Sequence, residues 1–207
     1  PKLEQRMKSN VLRLELLSRY GGVYTDTSVC PLVELDAFIA NLVGTGKDGF
    51  WANPFDMAKL NRTDLSQHHV AHCHDHSKVP EKYKGKGKTG SPFRTSSTWF
   101  LASTNPHNPL VDEWLAVYVN HLLTLPDPKT PYFLVHCALT QARLNNQTVD
   151  NIWKSTMRRV KEAEERRKVN GPRSEKTACA GVQLKKLSNS IETLIDECAL
   201  MKKPPRK

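Results

Sequence analysis

The first twenty residues set apolar and polar positions at the spacing of an amphipathic helix. Leu3, Met7, Val11, Leu14 and Leu17 recur every three or four residues, and Leu12, Leu16 and Tyr20 widen the apolar face. This predicts a helix over residues 3–20 that Gly21-Gly22 stops. Val23-Tyr24-Thr25 then reads as a short strand, with Asp26 at its C-terminal end. Pro31 marks a turn, and residues 33–43 predict a second helix.

The later pattern continues the mixture. FWANPF (50–55) and STWFLA (97–102) are strand candidates, separated by a polar stretch over 56–95 read as a long loop or insertion. Asn105-Pro106 and Asn108-Pro109 punctuate a turn. Val111, Trp114, Leu115, Tyr118 and Leu122 then fall on one helical face. YFLVHCALTQARL (132–144) predicts another helix. A further one opens with Ile152, Trp153, Met157 and Val160, becomes highly charged, and ends at Gly171-Pro172. Leu184, Leu187, Ile191, Leu194, Ile195 and Cys198 mark a last amphipathic helix before a basic tail over 201–207. No internal repeat is visible. Short buried strands alternating with helices predict an α/β fold, with residues 1–200 as one domain.

Composition adjusts this picture little. A chain of 207 residues with 38% apolar and 25% charged residues can bury a core without staples. The net charge of +10 would suit nucleic acid, an anionic membrane or phosphate-bearing small ligands. Much of the excess sits in KYKGKGK (82–88) and KKPPRK (202–207), which read as solvated loop and tail. No nucleic-acid-binding motif accompanies the charge, so nucleic acid is not the expected partner. Five widely spaced cysteines fit no small disulfide framework, and the compartment, cytoplasmic or Golgi luminal, stays open. No stretch has the length of a transmembrane span, and no signal peptide is visible. The chain starts at Pro1, so membrane contact through an upstream segment stays open too.

The candidate chemistry centres on Asp26-Thr27-Ser28. A carboxylate at a strand's C-terminal end stands where loops converge on a crevice in α/β sheets. It could hold a hard divalent cation, with neighbouring hydroxyls orienting water or phosphate oxygens. The same three residues could equally cap a helix or form a turn.

The segment KSNVLRLELLSRYGGVYTDTSVCPL resembles the core motif of capsular-polysaccharide-synthesis-type sugar transferases and the related DXD-motif glycosyltransferases. In that pattern a Ser-Asp-x-x-Arg helix leads to Tyr-Gly-Gly and a strand bearing the acidic motif. Ser9, Arg13, Leu17, Tyr20, Gly21, Gly22, Tyr24 and Asp26 carry the likeness. STWFLASTNPHNPLVDEW (97–114) and YFLVHCALT (132–140) resemble two later blocks.

The resemblance implies a GT-A-like nucleotide-diphospho-sugar transferase fold lacking its N-terminal strands. It implies a nucleotide-sugar donor, a glycan or other hydroxyl acceptor, and Mn²⁺ or Mg²⁺. Asp26 would face the metal and the donor diphosphate. Arg13, Ser28 and His136 would be donor or phosphate contacts, with a structural salt bridge open for Arg13 and a packed, hydrogen-bonded role open for His136. The chain departs from the pattern at Asn10, where the family commonly has Asp, and at Ser28, the third place of Asp-x-Asp. A noncatalytic sugar- or protein-binding homologue is the competing reading.

HHVAHCHDH (68–76) is a second candidate. If helical, His68 and His72, or His72 and His76, are four apart and could chelate a transition metal. The run matches neither zinc-finger nor HExxH spacing, and it reads equally as a variable loop.

Overall fold

The computed structural model describes residues 3–26, 29–31, 35–39, 43–44, 46, 48–54, 96–124, 134–170 and 184–186. They form a mixed α/β arrangement. Helix α1 (Gln5–Tyr20) leads into β1 (Gly22–Thr25), followed by β2 (Val29–Pro31), a single helical turn α2 (Leu35–Phe38) and β3 (Phe50–Pro54). Then come β4 (Ser96–Ser103), the helices α3 (Pro109–Thr124), α4 (Leu134–Asn145) and α5 (Gln147–Asn170), and β5 (Leu184–Lys186).

The main sheet is small, open and antiparallel, in the order β1-β4-β3. Its central strand is β4, with Tyr24 opposite Leu101 on one side and Ala52 opposite Leu101 on the other. A register shift between Ala52 and Pro54 accommodates the proline on this outer strand, where a missing N–H is tolerated. A second pair joins β2 to β5.

The period of two along the strands lets the sheet bury both faces. Phe50, Ala52 and Leu101 join Leu14, Leu17, Trp114, Tyr118 and Trp153 in the larger core. Trp51, Phe100 and Ala102 join Val43 and Val160 in a second cluster, with Val23, Val29 and Trp99 packed against it. Phe50 meets the Trp114 ring edge-on at 6.5 Å, and Trp51 meets Phe100 likewise at 5.3 Å. The Trp114 indole N–H donates to the Val135 carbonyl at 2.7 Å, so its burial leaves no unmet donor. On α4, Cys137 is buried and disulfide-bonded, which the cysteine spacing alone did not predict.

Two expectations are corrected. Leu12, Leu16 and Tyr20 do not extend the buried face of α1, since they are 58%, 42% and 71% exposed. The helix buries Met7, Leu14 and Leu17, with Val11 packed in part against the core, beside the buried Arg13 and Ser18. Leu184, read as the start of a helix, instead stands in β5 against Pro31. The rest of that predicted helix and the 56–95 insertion lie outside the described residues. Among the described residues no helix is long and apolar enough to cross a membrane.

Candidate active site

The site is built by the way α1 turns into β1. Gly21 ends the helix with its N–H on the Leu17 carbonyl at 2.9 Å and takes φ +64°. A Cβ there would sit 2.8 Å from the Asn105 carbonyl carbon, so the turn requires glycine for space as well as conformation. The helix end is pinned to the same turn. The His107 N–H donates to the Ser18 carbonyl at 2.7 Å, and the Ser18 hydroxyl donates to Asp112 Oδ1 at 2.6 Å. These contacts fix the angle at which β1 runs back beneath α1.

Asp26 lies just beyond β1. Its N–H donates to the Trp99 carbonyl at 2.8 Å, continuing the ladder with β4. Its carbonyl accepts the Val29 N–H at 3.0 Å, closing a turn towards β2. Tyr24 and Asp26 are two residues apart on an extended segment and therefore share one face. On that face the Tyr24 hydroxyl donates to Asp26 Oδ1 at 2.9 Å.

Arg13 closes the group from α1. Its guanidinium lies over the Tyr24 ring, 4.6 Å from the centroid. Nε donates to the Ser9 carbonyl at 3.3 Å, Nη2 to the Ser9 hydroxyl at 2.9 Å, and Nη1 to the Thr98 carbonyl of β4. Nη2 is also 3.6 Å from Asp26 Oδ1. That separation gives charge attraction without a hydrogen bond, whereas the Tyr24 hydroxyl does hydrogen-bond the carboxylate. The arginine side chain is 9% exposed and the aspartate side chain 27%. Burial pushes the Tyr24 phenol above its ordinary value of 10.0; the Arg13 cation opposes this, and Asp26 adds to the rise.

The other expected site residues are less gathered. His136 is buried on α4, which packs chiefly on α3 and α5, whereas the contacts described for Asp26 come from α1, β1, β2 and β4. Ser28, His68, His72 and His76 lie outside the described residues. Among the described residues no three His, Cys, Asp or Glu side chains converge on one point. Asn10 turns towards α3, its amide donating to the Tyr118 hydroxyl at 3.4 Å. Position 10 thus belongs to the seam between helices.

Sequence reasoning passed over the Tyr24 hydroxyl and the Thr98 carbonyl. The first had a signal, because residues i and i+2 of a strand share a face. The second had none, because a main-chain carbonyl carries no residue type.

An inward-facing arginine, a glycine turn and a strand ending in a partly exposed carboxylate form one unit, and the sequence comparison falls on it. Residues 2–43 match the family model of the glycosyltransferase sugar-binding region containing DXD motif. This segment of the chain is similar to that family's sugar-binding region. It takes in α1, β1, β2 and α2, and with them Ser9, Arg13, Tyr24 and Asp26. The match supports sugar transfer as the general function. Strand β4, which supplies the Thr98 and Trp99 carbonyls to the segment, lies beyond it. No curated protein and no solved structure matches the chain significantly.

Proposed function

We propose that this chain is a glycosyltransferase of GT-A-like architecture that moves a sugar from a nucleotide-diphosphate donor to a hydroxyl of a glycan or other acceptor. The observation that carries the reading is Asp26, held at the end of β1 by Tyr24 and Arg13 inside the segment that matches the family. In the reaction an acceptor hydroxyl attacks the anomeric carbon. The bond from that carbon to the diphosphate oxygen breaks, its electron pair leaves on the nucleoside diphosphate, and the hydroxyl proton passes to a base.

Asp26 faces the donor diphosphate in this reading. A single partly exposed carboxylate fits Mn²⁺ or Mg²⁺, because such ions take much of their shell from substrate phosphates and water. When bound, the cation neutralises charge developing on the departing diphosphate. Ser28 would add a hydroxyl beside it. The donor contact proposed for His136 requires that it act from α4, and His136→Ala tests it through the donor KM.

The test is nucleotide-sugar binding and hydrolysis by the 207-residue chain with and without Mn²⁺, for wild type and Asp26→Ala. Cation-dependent turnover that disappears in the variant supports the reading. Turnover or binding that ignores both the cation and Asp26 overturns it.

A further inference from the structure

The matched motif singles out a carboxylate but says nothing of how its orientation is set. Three elements converge to set it. Oδ1 of Asp26 receives the Tyr24 hydroxyl at 2.9 Å and faces Arg13 Nη2 at 3.6 Å. Arg13 is itself anchored to α1 through Ser9 and to β4 through the Thr98 carbonyl. Its side chain is 9% exposed, against 27% for the aspartate. A guanidinium so enclosed and so committed is placed to act on its neighbours in the protein. The more exposed aspartate is the member of the pair open to a cation from solvent.

We propose that Tyr24 and Arg13 are positioning residues that fix the Asp26 carboxylate through Oδ1, and that Arg13 acts through this carboxylate instead of binding the donor phosphate. The inference rests on the transferase reading above. Ser9 belongs to the same device, because its carbonyl and hydroxyl both hold the arginine. The stacking of Arg13 on Tyr24 couples the two: loss of either frees the other to turn. Supporting groups of this kind are worth about 10–100-fold in metal affinity or activity at metal sites.

The experiment uses the 207-residue chain with UDP-glucose and GDP-mannose as donor probes, titrating Mn²⁺ against turnover. Tyr24→Phe and Ser9→Ala, which remove only a hydroxyl, are expected to raise the Mn²⁺ concentration for half-activation roughly tenfold or lower kcat by that factor. The donor KM at saturating Mn²⁺ is expected to stay near wild type. Arg13→Gln should follow the same pattern, more steeply.

An Arg13→Gln effect confined to donor KM, with Tyr24→Phe silent, would make Arg13 a direct phosphate ligand and overturn the inference. If Asp26→Ala loses turnover while Tyr24→Phe and Ser9→Ala keep it unchanged, this inference falls and the transferase reading stands. If Asp26→Ala keeps cation-dependent turnover, both fall. A second readout needs no activity. With ¹³C-labelled tyrosine, Asp26→Asn and Arg13→Gln should each move the Tyr24 ring resonance at neutral pH, and a Tyr24 resonance indifferent to both changes would dispose of the contact itself.

Discussion

Arg143 and Asp150 meet in an ion pair closed off from water: Nη2 lies 2.9 Å from Oδ1, with the two side chains 1% and 0% exposed. Nε reaches the same oxygen at 3.0 Å, and Lys154 Nζ lies 2.8 Å from Oδ2. The guanidinium also stands over the Trp153 ring at 5.5 Å. The pair ties the end of α4 to the first turn of α5, where a carboxylate also suits the helix dipole. Removing one partner leaves a buried charge without this counter-ion. Asp150→Ala is therefore expected to cost about 3–5 kcal/mol in urea unfolding. The double change Arg143→Met with Asp150→Leu should cost well under the sum of the singles. A loss below about 1 kcal/mol for Asp150→Ala would show that the charge is not stranded.

The two glycines after α1 carry unequal demands. Both have positive φ, +64° at Gly21 and +85° at Gly22, but only Gly21 has main chain in the way of a Cβ. Gly22→Ala is expected to cost roughly 1 kcal/mol, from conformation alone. Gly21→Ala should cost at least twice that and disturb the Asn105 turn. Equal effects in thermal unfolding would contradict the close approach.

Asn108 should prove a costlier cap than Asn146. Each side chain accepts an N–H of its helix's first turn, from Leu110 at 3.0 Å and from Thr148 at 2.9 Å. Asn108 is also fully buried and donates to the Gly49 carbonyl at 3.2 Å. Asn146→Ala is expected to lose about 1 kcal/mol, the ordinary worth of a cap. Asn108→Ala should lose about 0.5–1.5 kcal/mol more, the net worth of its second hydrogen bond, since the Gly49 carbonyl keeps the Thr104 N–H at 3.0 Å. Matching losses in denaturant unfolding would sink the distinction.

Alkaline titration has a definite sign. Burial raises the pKa of Tyr118, against a smaller opposing effect of Asn10, and burial likewise raises that of Tyr24. A raised phenol pKa means that the fold prefers the neutral form. The associated stability is fully present below the ordinary value of 10.0 and is lost as pH rises through the folded-state value. The urea midpoint should therefore not respond to these phenols between neutrality and about pH 9, and should fall above about pH 10. Tyr118→Phe should flatten that alkaline fall, and an unchanged slope would contradict it.

Much of the fold was readable because its elements are locally determined. Phe50 to Pro54 and Ser96 to Ser103 stand out as short aromatic and aliphatic runs, and both are strands. Asn108-Pro109 carries a capping residue followed by a proline at the first helical position, and α3 starts there. What was not readable depends on distant partners. The periodicity of α1 admitted Leu12 and Leu16 to its apolar face, but the width of the groove against β1, β4 and α3 decided how many could be buried. Leu184 fits a helical pattern, yet the company of Val29 to Pro31 makes it a strand. At the site, the strand-end aspartate was evident. The grip of Ser9, Tyr24 and the Thr98 carbonyl was not, because it needs β1 folded back beneath α1.

The central place of β4 also governs when the site comes into being. Helices α3, α4 and α5 pack on one another at short separation along the chain, whereas β4 must find β1 across the whole stretch of sequence that separates Ser103 from Gly22. Closing that loop costs entropy before any pairing repays it, so the helical half is predicted to gather first and the sheet last. Thr98 reaches Arg13 only when β4 docks, and Asp26 takes its place in the ladder at the same moment. The carboxylate is then aimed in the final step of folding, and a pulse-labelling experiment should find amide protection at Asp26 arriving with that of β4 and after that of α4.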